Sequence, residues 1–337
     1  MRIQQLRERL RALNTKPCHE ARVLRAWLQA KPLDSGRVTA GDFLPGALRA
    51  ELPALTAELA GLVRLRSAHP GADGSSRLLV GLKDGQTVES VLLLRDGLCV
   101  SSQVGCAVGC TFCMTGRDGL LRQLSSGEIV AQVVLGRSLR PVKKVVFMGM
   151  GEPAHNLDNV LEAIELLGTL GNIGHKNLVF STVGDARVFE RLPLGTVKPA
   201  LALSLHSSRA EVRAQLLPKA PRIDPAELVA QADAYGRATG YPIQYQWTLI
   251  EGVNDTDEEV AGLVHLLKGR YGLMNFIPYN ETEAPGATAF RRPPPQRIAE
   301  IARQLKQHGI LTKLRQSAGQ DVEGGCGQLR ARSIESL

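Results

Sequence analysis

The chain has 337 residues, 44% of them hydrophobic and 22% charged, with a formal charge of +8. That composition excludes wholesale disorder and suits a polyanionic partner. Its opening residues, Met1-Arg2-Ile3-Gln4-Gln5-Leu6-Arg7, are charged where a signal peptide turns apolar, and no apolar run approaches the ~18 residues of a membrane span, so the expectation is a cytoplasmic protein without membrane contact.

Ile3, Leu6, Leu10 and Leu13 recur at helical spacing between arginines, which predicts a basic amphipathic helix. A second helix is expected over 20–29, and helical pattern returns around 46–65; together these read as a small helical N-terminal domain over residues 1–66. Residues 67–76, rich in Gly, Ser and Pro, read as a linker. The runs 77–82 and 87–94 flank Asp84-Gly85, a hairpin signal, so 67–95 is expected to be linker plus β-hairpin extension. From 96 to 337 short β-rich runs at about 98–104, 144–149, 178–182, 200–206, 243–250, 273–279 and 311–316 alternate with helix-compatible stretches. This is the pattern of βα units around a parallel sheet. The expected fold class is α/β, with these units forming a partial (β/α)6 barrel.

Six cysteines in a chain of this character point to metal ligands or catalytic thiols rather than a disulfide framework. Three fall in Gly105-Cys106-Ala107-Val108-Gly109-Cys110-Thr111-Phe112-Cys113-Met114, between the first barrel strand and the next helix. Three thiolates on one loop can hold three irons of a cubane cluster and leave the fourth open. A structural zinc site would need a fourth ligand from a second C-x2-C or a His pair, and none follows. The loop resembles the signature of the radical SAM superfamily, which uses a [4Fe-4S] cluster and S-adenosyl-L-methionine (SAM). Later strand ends carry Gly149-Met150-Gly151-Glu152-Pro153, where Glu152 can accept from an ammonium group, and the polar Ser181, Ser204 and His206.

Two cysteines lie outside the loop: Cys99, and Cys326 in Gly324-Gly325-Cys326-Gly327-Gln328-Leu329. A thiol between glycines, outside any periodic element, can be delivered to a site. With Leu98-Cys99-Val100-Ser101-Ser102-Gln103, Ser204-Leu205-His206 and Ile277-Pro278-Tyr279-Asn280, these motifs resemble the RlmN/Cfr family of radical SAM ribosomal RNA (adenine) methyltransferases over residues 16 to 330. The resemblance implies methylation of an adenine ring carbon, C2 or C8, in 23S rRNA, with tRNA as a further substrate. Such a carbon has no nucleophilic lone pair, and the family first places the methyl group on a cysteine thiolate, using two SAM molecules. The implied roles are Cys326 as the methyl carrier, Cys99 as the resolving thiol in a transient disulfide with Cys326, and Glu89 as proton acceptor. Cluster ligation falls to Cys106, Cys110 and Cys113, and SAM contact to Gly151, Glu152, Ser181, Ser204, Leu205, His206 and Asn280. A monomer with flavodoxin as electron donor is the family expectation.

The chain departs from the family pattern at Val183 and at Ala318 and Gln320 in Ser317-Ala318-Gly319-Gln320-Asp321, which bears on substrate contacts. Taken alone, Glu89 reads as an exposed strand carboxylate and Cys18 as a structural thiol. Arg22, Arg25, Arg291, Arg292, Lys313, Arg315, Arg330 and Arg332 are candidate phosphate contacts. With aromatics at 4%, no stacking platform is evident. The residues leave open C2 against C8, a radical SAM enzyme with a non-RNA substrate, and a non-catalytic RNA binder with a zinc loop.

Overall fold

The structure, a computed structural model, describes residues 1–280, 290–315 and 327–335, with side chains to Ala331. Four helices open the chain: α1 (Ile3–Ala12), α2 (Pro17–Leu28), α3 (Ala40–Phe43) and α4 (Gly46–Ala60). On α1 the stripe Ile3, Leu6 and Leu10 is buried, while Arg9 on its polar face pairs with Glu51 and Glu58 of α4. Three antiparallel strands follow, β1 (Val63–Pro70), β2 (Ser76–Leu82) and β3 (Thr87–Leu93). The stretch expected to be helix to 65 and linker from 67 is therefore largely strand: α4 stops at Ala60 and β1 runs through Pro70. Its own side chains hide this, because after Val63 they alternate poorly and are mostly exposed. What makes it a strand is pairing with β2.

The barrel begins at β4 (Gly97–Cys99), which is antiparallel to β3 and parallel to the later strands. A two-stranded ribbon, β5 (Gln103–Gly105) and β6 (Leu120–Gln123), then leaves the sheet before α5 (Ser126–Leu139) returns to it. The expected strand over 98–104 is thus two pieces. Five βα repeats continue the sheet through β7 (Lys144–Phe147), α6 (Leu157–Thr169), β8 (Leu178–Thr182), α7 (Ala186–Arg191), β9 (Ala200–Ser204), α8 (Ala210–Leu216), α9 (Pro225–Thr239), β10 (Ile243–Leu249), α10 (Asp257–Leu267), β11 (Gly272–Pro278) and α11 (Pro295–Gln307). A short seventh parallel strand, β12 (Thr312–Leu314), forms the edge, and α12 (Gln328–Glu335) closes the described chain. The strand order is β1-β2-β3-β4-β7-β8-β9-β10-β11-β12. Among the described residues β12 pairs only with β11, so the parallel barrel is open on one side.

Alternation divides each strand. Val145, Phe147, Phe180, Leu201 and Leu203 join the core under the helices, whereas Val146, Val179, Ala200 and Ala202 form a separate cluster with Val91 and Cys99. Small side chains on that second face leave room within the barrel. The N-terminal helices share the main core, which runs from Ile3 and Leu24 to Leu305. They are also fastened by hydrogen bonds, the Ile3 N–H to Ser126 Oγ at 2.8 Å and the Gln4 N–H to Glu162 Oε1 at 2.7 Å. No helix among the described residues is long and apolar enough to cross a membrane.

Candidate active site

The C-terminal ends of the parallel strands and the β5–β6 ribbon enclose a cavity of about 400 Å³. Cys106, Cys110 and Cys113 all line it. The loop carrying them is tied at its base, where the Cys106 N–H donates to Gly119 O at 2.9 Å. On its far side it docks on the end of α8, with the Thr111 N–H on Leu216 O at 3.0 Å and the Lys219 N–H on Val108 O at 3.2 Å. Burial, and then the nearby Glu152 and Cys113 charges, push the Cys106 thiol up to about 12; burial and the neighbouring thiols push Cys110 up as well. Three thiolates can coexist in so desolvated a place only around positive charge. The donor set therefore fits an iron–sulfur cluster. Among the described residues no three His, Cys, Asp or Glu side chains converge on a single ion.

Opposite the loop, the glycine-rich turn after β7 is held by Gln103, whose Oε1 accepts the Glu152 N–H at 2.7 Å. The Glu152 carboxyl is buried, accepting from the Ala154 N–H at 3.1 Å and the Val183 N–H at 3.0 Å. Burial raises its pKa to about 7 against those bonds. Since Val183 contributes its backbone here, the departure from the family's residue leaves this contact intact. His206 lies two residues past the end of β9 with φ at +61°, its ring tilted 58° to that of Phe112 with centroids 4.9 Å apart. Its Nδ1 accepts the Thr248 N–H at 3.0 Å, and burial together with Arg213 lowers its pKa to about 3. The ring is neutral, with its proton on Nε2. Gly151, Ser181, Ser204 and Asn280 also line the cavity, whereas Leu205 is fully buried in the core.

Cys99 reaches the cavity from the interior of the barrel, between Val91 and Val146, and burial pushes its thiol up to about 12. Glu89 corrects its reading as an exposed carboxylate: it is 2% exposed. Its Oε2 accepts from Arg77 Nη1 at 3.2 Å and its Oε1 from the Arg330 N–H at 2.9 Å, so the hairpin extension holds the first turn of α12. Cys326 lies outside the described residues, as do Ala318, Gln320 and the Arg332 side chain. Its neighbour Gly327 is described, with φ at +86° and so close to Thr115 that a Cβ there would stand 2.6 Å from the Thr115 nitrogen. Thr115 is two residues past Cys113. The peptide next to Cys326 thus abuts the cysteine loop.

The cavity also uses residues that the sequence did not single out: Arg77, Gln246, Thr248 and, behind its wall, Arg213 and Asn254. Asn254 Nδ2 donates to both His206 O and Thr248 O, and Arg213 Nη2 to Val183 O and Ser204 O. A lone arginine opening the apolar run Arg77-Leu78-Leu79-Val80 was the available signal for the first. Of the candidate phosphate contacts, Arg330 is buried and Arg22 is spent on Ser35 O and Asp34 O, stacked on Phe43. Arg292 holds Tyr279 O and Asn280 Oδ1, and Arg25 and Arg291 are exposed. Cys18 is exposed, which removes a packing role for its thiol.

Residues 100–264 match the family model of the Radical SAM superfamily. The chain is 72% identical to a probable RNA methyltransferase of Azoarcus sp. (strain BH72), covering 99% of this chain and 96% of that one. It is 70% identical to a probable RNA methyltransferase of Leptothrix cholodnii, covering 99% and 95%. A radical SAM methyltransferase from Sphaerobacter thermophilus has a similar solved structure, with a TM-score of 0.81 at 33% identity over 97% of both chains. With likeness of this extent from end to end, the chain belongs to the Radical SAM superfamily and to the family that these methyltransferases form.

Proposed function

We propose that the chain is an RlmN/Cfr-type enzyme that methylates an adenine ring carbon, C2 first, in 23S rRNA, with tRNA as a further substrate and methyl transfer passing through Cys326. It would work in the cytoplasm as a monomer, with a donor such as flavodoxin supplying electrons. In this superfamily the [4Fe-4S] cluster and SAM supply a carbon radical able to take hydrogen from an unactivated methyl group. Cys106, Cys110 and Cys113 would hold the cluster. Glu152 and its neighbours at the strand ends would orient SAM, and neutral His206 offers a donor without adding charge. The observation that carries the reading is the convergence of the three-cysteine loop and Cys99 on one cavity, with Gly327, the residue after Cys326, against Thr115 of its lining. Cys99 and Cys326 are the pair that a methyl relay needs, one to carry the group and one to release the product by disulfide formation.

Anaerobic reconstitution with SAM and 23S rRNA, followed by nucleoside analysis, is expected to give 2-methyladenosine, and Cys326→Ala to give no methylated product. Detection of 8-methyladenosine would select the C8 alternative; undiminished methylation by Cys326→Ala would sink the relay.

Glu152 gives a pH signature. A carboxyl raised to about 7 must lose its proton to pair with the SAM ammonium, so affinity for SAM should climb roughly tenfold per pH unit between about pH 5 and 7 and level off above. In the ligand-free protein the sign reverses: the native state favours the protonated form, so stability declines as pH rises from the ordinary carboxyl range toward 7. Calorimetric SAM titrations across this range should show the climb in the native protein and a flat, weaker profile in Glu152→Gln; a climb that survives in Glu152→Gln would assign it elsewhere.

A further inference from the structure

One face of the barrel interior takes no part in the roles above. Along β11, Met274 and Phe276 pack into the core under the helices, so Asn275 between them turns inward, where it is fully buried. In register with it on β12 stands Lys313, and side chains of paired residues share a face of the sheet. Two residues on, Arg315 continues the same face. Its N–H donates to Phe276 O at 2.7 Å and its Nε to Asn275 Oδ1 at 3.2 Å. That second bond sets the orientation of the amide and leaves Asn275 Nδ2 a buried donor with no acceptor.

Lys144 opens β7 two residues before the inward Val146 and is near enough for the charges of Arg315 and Lys313 to act on it. Burial, and after it the charges of Arg315 and Lys313, hold its pKa below the ordinary lysine value. Among the described residues none of these three cations has a carboxylate partner. Lys144 is half-buried and Lys313 and Arg315 are exposed, so the unpaired buried donor is the costly feature of the free protein and the clustered cations add a repulsion that solvent screens. All of them would be relieved by one anion with several acceptor oxygens. Arg315 also lines the main cavity, so the cluster is continuous with it.

We propose that Lys144, Asn275, Lys313 and Arg315 form a subsite for a phosphodiester group of the substrate RNA, at the open side of the barrel. The inference rests on RNA being the substrate. Of eight cations that the sequence offers as phosphate contacts, it selects Lys313 and Arg315 and adds Lys144. A phosphate here would anchor the strand beside the cavity while the target base, unstacked, enters it.

The test uses the reconstituted full-length protein and a labelled 23S rRNA hairpin, with affinity measured by fluorescence anisotropy across a salt series. Lys144→Gln and Lys313→Gln are each expected to weaken binding about five- to tenfold at low salt and to reduce the slope of log affinity against log salt by roughly 0.7–0.9, the worth of one phosphate contact. The double variant should lose about twice as much slope. Lys268→Gln, an equal change of charge on a lysine at the far end of α10, serves as control. If both variants match Lys268→Gln while the native protein binds RNA in a salt-dependent way, the subsite is refuted and the RNA reading stands. Absence of RNA binding by the native protein refutes both. Loss of SAM affinity with RNA affinity intact would assign the cluster to the SAM carboxylate and overturn the proposal.

Discussion

Replacing Arg77 with methionine is expected to destabilise the protein by about 3–5 kcal/mol, the usual cost of stranding one member of a buried ion pair. The Arg77 and Glu89 side chains are each 3% exposed, with Nη1 and Oε2 3.2 Å apart. Water cannot replace a lost partner at that depth, so Glu89 would keep its charge at high cost or take up a proton. Protonation would weaken its hold on the Arg330 N–H, because a neutral carboxyl is the poorer acceptor. Unfolding by denaturant should therefore show the loss in stability, and hydrogen exchange should show faster exchange at the first turn of α12. Combining Arg77→Met with Glu89→Gln removes the stranded charge and should recover part of the loss, a coupling of roughly 1–3 kcal/mol. A single-variant loss below about 1 kcal/mol, in the range of exposed pairs, would show that the pair is effectively solvated. Function enters through the same contact. The carboxylate proposed as proton acceptor is also the group that fastens the segment following Cys326, so Arg77 would position two parts of the site at once.

This pair also shows where sequence reading stops. The cysteine loop is a run of consecutive residues whose spacing was legible by itself, whereas the Gly-Met-Gly-Glu turn, a weak signal alone, drew its reading from its place one βα unit after that loop. The alternation of strands and helices likewise gave the barrel. Glu89 was not legible in the same way, because its partners come from elsewhere in the fold: Arg77 across the hairpin and the Arg330 N–H, 241 residues further along the chain. The resemblance to a family marked Glu89 as functional, but residue type and neighbours pointed to a solvated carboxylate. Strand β1 was hidden for the same physical reason: pairing with β2 makes it a strand, against side chains that alternate poorly. The break between β4 and β5 was also unreadable, since Val100, Ser101 and Ser102 suit a strand as well as their neighbours do. Ser101 instead leaves the ladder to bond Glu89 O and the Met150 N–H, which joins the hairpin to the glycine-rich turn.

The ribbon formed after that break is what presents the proposed cluster ligands, and a single methyl group should be enough to ruin it. Gly105 sits at the irregularity where β5 meets β6, with φ at +80°. A Cβ built there would lie 2.1 Å from Gly119 O, the same carbonyl that accepts the Cys106 N–H. Because the obstacle is backbone, no rotamer change relieves it; the two strands must separate, and Cys106 moves with them. Gly105→Ala should thus cost about 3 kcal/mol or more, combining a left-handed conformation with overpacking. After anaerobic reconstitution it should retain little of the iron and brown colour of the native protein. Gly85→Ala isolates the conformational part of that cost. Gly85 has φ at +86° in the hairpin turn with nothing within 4 Å of its would-be Cβ, so that variant should lose only about 1–2 kcal/mol and load iron normally. Equal iron content in the two variants would mean that the loop reaches its ligating geometry without the Gly119 contact, and that cluster assembly, rather than the apo ribbon, shapes the site.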